Sequence, residues 1–191
     1  MEPIKTLTTK TKTLNIYPDD NAESPREWDN LSKMVCSHRR YNLGDKHDYD
    51  TNDYSGWEEV KQAIIRKENP AVILPLYMYD HSGITIRTTP FGDRWDSGQI
   101  GFVFVTKEAV RKEYGIKRVG KKHIEQAKQT LLNEVETYDQ YITGDVYRFA
   151  VEDELGRVLD SCGGFYGSNY ATNGMSEHID DNELVELLKN S

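Results

Sequence analysis

The chain has 191 residues, 37% of them hydrophobic, and a formal net charge of −8, which suits one domain with a sizeable core. No run approaches the roughly 20 apolar residues of a membrane span, and residues 1–17 lack the apolar stretch of a secretory signal. With only two cysteines a disulfide framework is not indicated, so we expect a cytoplasmic protein with no membrane partner.

The first predicted strand covers residues 13–17, where apolar and polar side chains alternate. Residues 1–12, which precede it, are expected to be flexible. Residues 21–56, which follow it, are dense in Asp, Asn, Arg and Tyr, and their only helical pattern lies at residues 26–39. We therefore predict a long acidic insert after the first strand.

The middle of the chain predicts a helix, a hairpin and a central strand. The helix begins after Ser55 and ends at Asn69. The hairpin joins residues 72–78 and 83–87, and Pro75 within it favours an edge position or a bulge. The most apolar run of the chain follows and predicts the central strand at residues 99–105.

The C-terminal half predicts two helices, a second hairpin and a closing helix, at residues 106–114, 121–141, 146–161 and 182–189. Strands and helices do not alternate as βαβ units. The predicted fold class is therefore α+β, with an antiparallel sheet of about five to six strands and helices packed on one face. The whole chain, residues 1–191, is predicted to form a single domain.

Acidic charge concentrates at residues 45–59, where the net charge is −5 and the carboxylates are Asp45, Asp48, Asp50, Asp53, Glu58 and Glu59. One interpretation is a calcium-binding loop, whose positions 1, 3, 5 and 12 would be Asp48, Asp50, Asn52 and Glu59. Position 6 normally needs a glycine, and here it is Asp53. A divalent cation is the one cofactor that this pattern suggests; the alternative, a solvated acidic loop, needs none.

Basic charge concentrates at residues 107–122, where seven basic and two acidic side chains give a net charge of +5. The candidate contacts to phosphate groups are Lys112, Lys117, Arg118, Lys121 and Lys122. The alternative is a solvated face beside a short loop between two helices.

A pair of arginines, Arg39 and Arg40, follows His38. Such a pair can bind carboxylates or phosphates of a partner. It can equally hold the acidic insert in place through ion pairs with residues such as Asp29, Asp45 or Asp48.

Two further polar runs could belong to a site. His81 lies at the predicted hairpin tip beside Asp80 and Ser82, but neighbouring residues of a turn point in different directions, which argues against a catalytic triad. Residues 93–99 lead into the central strand, and they suit either a functional loop or a turn anchored by a buried tryptophan.

Five motifs resemble a group of uncharacterised accessory proteins carried by phages, prophages and plasmids of Gram-positive and gut bacteria. They are SPREWDN at residues 24–30, HRRYNLGD at 38–45, WDSGQIG at 95–101, KEAVRKEYG at 107–115 and TYDQYITG at 137–144. The resemblance brings no assigned activity and therefore no catalytic residue. It implies a context, because small acidic proteins of mobile elements often counter host defence, including as anti-CRISPR and anti-restriction proteins.

The leading hypothesis is an accessory protein that inhibits a host nucleic-acid-targeting defence complex, such as a CRISPR effector, by binding it in the host cytoplasm. Its acidity suits docking onto a basic surface, with contacts from residues 45–59 and from exposed aromatic side chains such as Trp57. A second hypothesis is a metal-dependent enzyme acting on nucleic acid. A third is a nucleic-acid binder without chemistry, whose affinity falls steeply with salt.

Overall fold

The computed structural model of the protein describes residues 1–93 and 95–191. The chain forms two units. The first contains Met1–Ser24 and Gln140–Ser191, and the second contains Pro25–Asp139. Each unit holds one four-stranded antiparallel sheet. The single domain expected from the sequence stays a prediction.

The strands are β1 (Lys5–Thr8), β2 (Lys12–Pro18), β3 (Lys33–Cys36), β4 (Pro70–Asp80), β5 (Ile84–Arg87), β6 (Ser97–Thr106), β7 (Val146–Asp153) and β8 (Val158–Tyr166). The helices are α1 (Trp57–Glu68), α2 (Lys107–Glu113), α3 (Lys121–Thr143) and α4 (Asn182–Lys189). These elements confirm the α+β class and the antiparallel pairing. The single sheet of five to six strands is corrected to two sheets with four strands each.

The sheet of the first unit joins both ends of the chain in the order β1-β2-β7-β8. Its apolar face packs with α4 into one core, which includes Leu14, Ile16, Phe149 and Leu184. Strand β1 lies at one edge and pairs with β2 along its whole length. Residues 1–12 therefore contain a paired strand, and their flexibility stays a prediction.

The sheet of the second unit has the order β3-β6-β4-β5, so β6 is an inner strand, as predicted. Helix α1 covers one face, where Val60 and Ile64 join a core with Phe102 and Phe104. Pro75 pairs with Phe102 of β6, but β5 pairs only with residues 77–80 of β4. On its β5 side Pro75 therefore has no strand partner that would need an N–H from it.

Helix α3 is hydrogen-bonded to residues in and beside this sheet. Alternation along β6 places Val103 on the face opposite to Phe102 and Phe104, and its side chain is fully buried. Three side chains near the C-terminal end of α3 reach the sheet's surroundings: Glu134 accepts from the Ser32 N–H, the Tyr138 hydroxyl accepts from the Gly44 N–H, and Asp139 accepts from the Ile86 N–H. The prediction that helices pack on one face stays a prediction for this sheet.

The predicted helix at residues 26–39 does not form. Pro25–Glu27 make a single 3-10 turn, and Lys33–Cys36 form β3 at the edge of the sheet. The apolar spacing fits a helix, yet Met34 and Val35 are both buried on opposite sides of the strand, and pairing with β6 decides between the two conformations. The acidic insert at residues 21–56 therefore contributes a strand to the sheet.

A buried ion-pair network ties this insert to α3. The Arg26 side chain is 6% exposed and binds both carboxylate oxygens of Asp45, at 2.9 and 2.6 Å. Asp45 also accepts from the Met34 N–H at 2.8 Å. Glu134 lies 3.7 Å from Arg26 and accepts from the N–H groups of Leu31 and Ser32 at 2.8 and 3.0 Å.

We predict that Asp45→Ala lowers the free energy of unfolding by about 3 kcal/mol, because it leaves the buried Arg26 without its main counter-charge. Urea denaturation followed by circular dichroism measures the change. Asp53→Ala removes an exposed carboxylate from the same segment and should change stability by less than about 0.5 kcal/mol. Equal unfolding free energies for the two variants would contradict the role given to Asp45.

Candidate functional site

Three segments that stand far apart in the sequence meet at one end of the second unit's sheet. They form a cavity of about 270 Å³, which we name the sheet-end cleft. Its walls are residues 38–40 after β3, Met78 and Asp80 at the end of β4, and residues 95–100 at the start of β6. Because β3 and β4 both run antiparallel to β6, the last residues of β3 and β4 and the first residues of β6 lie at the same end of the sheet.

Asp80, at the end of β4, binds the segment that carries Arg39 and Arg40. Its carboxylate forms an ion pair with Arg40 and accepts from the Tyr41 hydroxyl at 3.2 Å. The Arg40 guanidinium lies 5.4 Å from the centre of the Tyr41 ring, and the His38 ring stacks on Tyr41 at 5.2 Å. The ion pairs of the structural alternative, with Asp29, Asp45 or Asp48, are therefore not the ones that Arg40 forms, and the binding role of the arginine pair stays a prediction.

The loop that enters β6 is a tightly bonded turn. One carboxylate oxygen of Asp93 accepts from the N–H groups of Trp95 and Asp96, at 2.7 and 3.0 Å. These two N–H groups hold the pKa of Asp93 below its ordinary value. Asp96 is fixed in turn, because its carbonyl accepts from the Asp80 N–H at 2.8 Å and its carboxylate lies 3.0 Å from Nδ1 of His81.

This turn holds Trp95 in solvent. The side chain is 95% exposed, although a tryptophan is among the most costly residues to leave in water. The sequence alternative of a turn anchored by a buried Trp95 is therefore wrong. Beside it Arg39 is exposed and has no hydrogen bond or ion pair with any other residue in the described part of the chain.

His38 is the titratable group whose environment is most altered in the cleft. Desolvation, and then the positive charge of Arg40, lower its pKa below the ordinary 6.5, with Arg39 acting in the same direction against the charge of Asp80. The imidazole is therefore mainly neutral at pH 7, where it offers one donor and one acceptor. The cleft therefore presents hydrogen-bonding groups and arginine charge to solvent.

The geometry does not favour nucleophilic catalysis. Within residues 1–93 and 95–191, no hydroxyl or thiol forms a hydrogen bond with His81, although Asp96 orients its ring. Cys36 is the last residue of β3 and is buried, two residues before the cleft lining begins at His38. Desolvation, and then the charge of Asp45, raise the pKa of its thiol to about 12. A thiol of that pKa is not a nucleophile at neutral pH.

Two carboxylates of the acidic segment, residues 45–59, bond to the segment's own backbone. Asp50 accepts from the N–H and the amide group of Asn52, at 2.9 and 2.8 Å, and Glu59 accepts from the Ser55 N–H at 3.0 Å. Asp48 is exposed and lies 3.6 Å from Lys67. Asp45 belongs to the Arg26 network, so we assign it a structural role.

The calcium loop at residues 48–59 stays a prediction. Helix α1 begins at Trp57, within the last positions of that loop. Over the described residues, no group of three or more His, Cys, Asp or Glu side chains is placed to hold a metal ion. Trp57 itself packs edge-on against Phe102, with ring centres 6.0 Å apart, and anchors α1 to the sheet.

The remaining predicted binding residues lie outside the cleft. Lys112, Lys117, Arg118, Lys121 and Lys122 are all exposed, between the end of α2 and the first turn of α3. They form a surface of their own, which is separate from the arginine pair.

The prediction missed Trp95, His38, Asp80 and Asp96 as members of one site. Each of these residues lies in a polar or aromatic run that the sequence indicates as part of a possible site. Their convergence depends on strand order, which local periodicity does not reveal.

Comparison with protein-family models, with curated proteins and with solved structures finds no match for this chain. Among the described residues, none of the helices combines the length and the apolar character that a membrane span requires.

We predict that Arg39→Gln raises the pKa of His38, because the variant removes a positive charge that disfavours the imidazolium form. A pH titration of the imidazole proton resonances by NMR measures it. Arg66→Gln, an exposed change on α1, should leave the titration of His38 unaltered. A midpoint above 6.5 in the unmodified protein, or one that Arg39→Gln does not raise, would show that the arginines do not control this histidine.

Proposed function

We propose that this protein acts by binding a macromolecular partner through the sheet-end cleft, and that the partner is a nucleic-acid-targeting defence complex of the host, such as a CRISPR effector. The supporting observation is the fixed turn that holds Trp95 in solvent beside the exposed Arg39. Tryptophan and arginine are the side chains most enriched among residues that dominate binding energy.

The turn lowers the cost of binding because it is ordered before the partner arrives. Asp93 accepts from the Trp95 N–H, and Asp80 and His81 bond to the carbonyl and the carboxylate of Asp96, the residue that follows Trp95. A preorganised anchor loses less conformational entropy on association than a flexible one. Burial of the ring by a partner then contributes to affinity with only a small loss of conformational entropy to oppose it.

The class of partner is supported by charge and by resemblance. A chain with a net charge of −8 is attracted to the basic surfaces with which defence complexes hold nucleic acid. The exposed carboxylates of Asp48, Asp53 and Glu58 remain at the surface for such a contact. The five motifs point to the same context of mobile elements.

We predict that the protein stops target cleavage by a guide-loaded type II CRISPR effector, and that Trp95→Ala weakens this inhibition about 30-fold. Loss of an anchor at the centre of an interface costs at least about 2 kcal/mol, which corresponds to that factor. Cleavage of target DNA in magnesium is measured against inhibitor concentration. The matched control is Leu155→Ala, which removes an apolar side chain that is 77% exposed at the tip of the β7–β8 hairpin.

Parallel reactions contain the guide RNA or the DNA without the effector, each with and without a chelator. Intact nucleic acids together with inhibition support a binding inhibitor. Chelator-sensitive cutting of the free nucleic acid would replace the proposal with the metal-dependent enzyme. Uninhibited cleavage with intact nucleic acids would remove this effector as the partner, and equal loss in the Trp95→Ala and Leu155→Ala variants would remove the cleft as the surface.

A further inference from the structure

We infer that a second surface of the protein binds the phosphate backbone of single-stranded nucleic acid. This surface, which we name the basic patch, consists of Arg111, Lys112, Lys117, Arg118, Lys121 and Lys122. It lies where α2 ends and α3 begins, and shares no residue with the sheet-end cleft. The inference does not depend on the proposed function.

Charge is strongly segregated in this chain. Residues 107–122 carry +5, and since the whole chain carries −8, all other residues together carry −13. All six side chains of the basic patch are exposed, and in the described part of the chain none of them forms an ion pair. The excess of carboxylates elsewhere does not neutralise the patch locally, so its positive field extends into solvent.

The local fold concentrates this charge. After α2 the chain reverses through Gly115, whose φ of +61° lies in the left-handed region, and the Ile116 N–H returns to the Arg111 carbonyl at 3.1 Å. Tyr114 at the end of α2 and His123 in the first turn of α3 then lie in contact, with ring centres 5.9 Å apart. That first turn holds no acidic residue, and Lys121 and Lys122 add to the positive end of the helix dipole instead of opposing it.

An aromatic pair stands within the basic patch and favours nucleic acid over an acidic protein. The rings of Tyr114 and His123 stack with centres 5.9 Å apart, and both residues are half-buried. Nδ1 of His123 accepts from the Gly120 N–H at 3.2 Å, which fixes the ring in place. Aromatic faces between cationic side chains allow unpaired bases to stack while the phosphates contact lysine and arginine, as in proteins that bind single-stranded nucleic acid.

The test is fluorescence anisotropy with a labelled single-stranded oligouridylate of about 12 nucleotides. Three to four phosphate contacts should give a slope of about −2 to −3 in log K against log salt, so that affinity falls about 20- to 50-fold between about 50 and 200 mM NaCl. The variant K117Q/R118Q/K121Q/K122Q should lose at least about tenfold in affinity at the lower salt and show a flatter slope.

The matched control is K10Q/K33Q/K46Q/R66Q, which removes the same number and kinds of exposed cations elsewhere. It should retain affinity within about threefold. Thermal unfolding of both quadruple variants checks that they are folded. Trp95→Ala should bind the RNA normally, so a failed cleavage inhibition and a failed RNA interaction are told apart.

Three results would overturn the inference. One is no binding of the RNA at about 50 mM NaCl. Another is an equal loss of affinity in the two quadruple variants, which would reduce the effect to net charge. The third is displacement of the RNA by polyglutamate of the same charge at equal concentration, which would assign the basic patch to acidic proteins.

Discussion

The buried pairing of Arg26 with Asp45 and Glu134 is the constraint on which the sheet-end cleft of the second unit depends. Removing a guanidinium from water costs several kcal/mol unless counter-charges and acceptors surround it. Here the two carboxylates do this and also accept four N–H or O–H groups from Leu31, Ser32 and Met34, which no strand ladder serves at that point. An irregular stretch thereby becomes a fixed part of the sheet's edge.

This network helps to position the cleft, because Asp45 follows the loop that carries the cleft arginines. The loop of residues 38–43 leaves the sheet after Ser37, whose N–H is bonded to the Ile100 carbonyl at 2.8 Å, and returns at Gly44, which bridges Val35. Gly44 has a φ of +72°, and a Cβ there would lie 2.6 Å from the Met34 carbonyl, so the return needs glycine. With both ends of the loop tethered, the two arginines it carries have a defined place beside Trp95.

Sequence reasoning located most elements from α1 onwards, because their apolar periods are long and their ends carry turn residues. It failed where partners decide the structure. The pattern at Lys33–Cys36 suits a helix or a strand, and only β6 resolves it. Strand β2 pairs with β7 across more than half the chain, and periodicity carries no information about such pairing. For the same reason three motifs could each be noticed without revealing that they share one cleft.

Hydrogen–deuterium exchange of the protein, alone and bound to a guide-loaded type II CRISPR effector, tests the central claim that the sheet-end cleft is the binding surface. Amides at residues 38–41 and 93–97 should exchange more slowly in the complex, while those at 155–159 on the β7–β8 hairpin should not change. A complex that protects other segments and leaves residues 38–41 and 93–97 at their free rates would contradict the account.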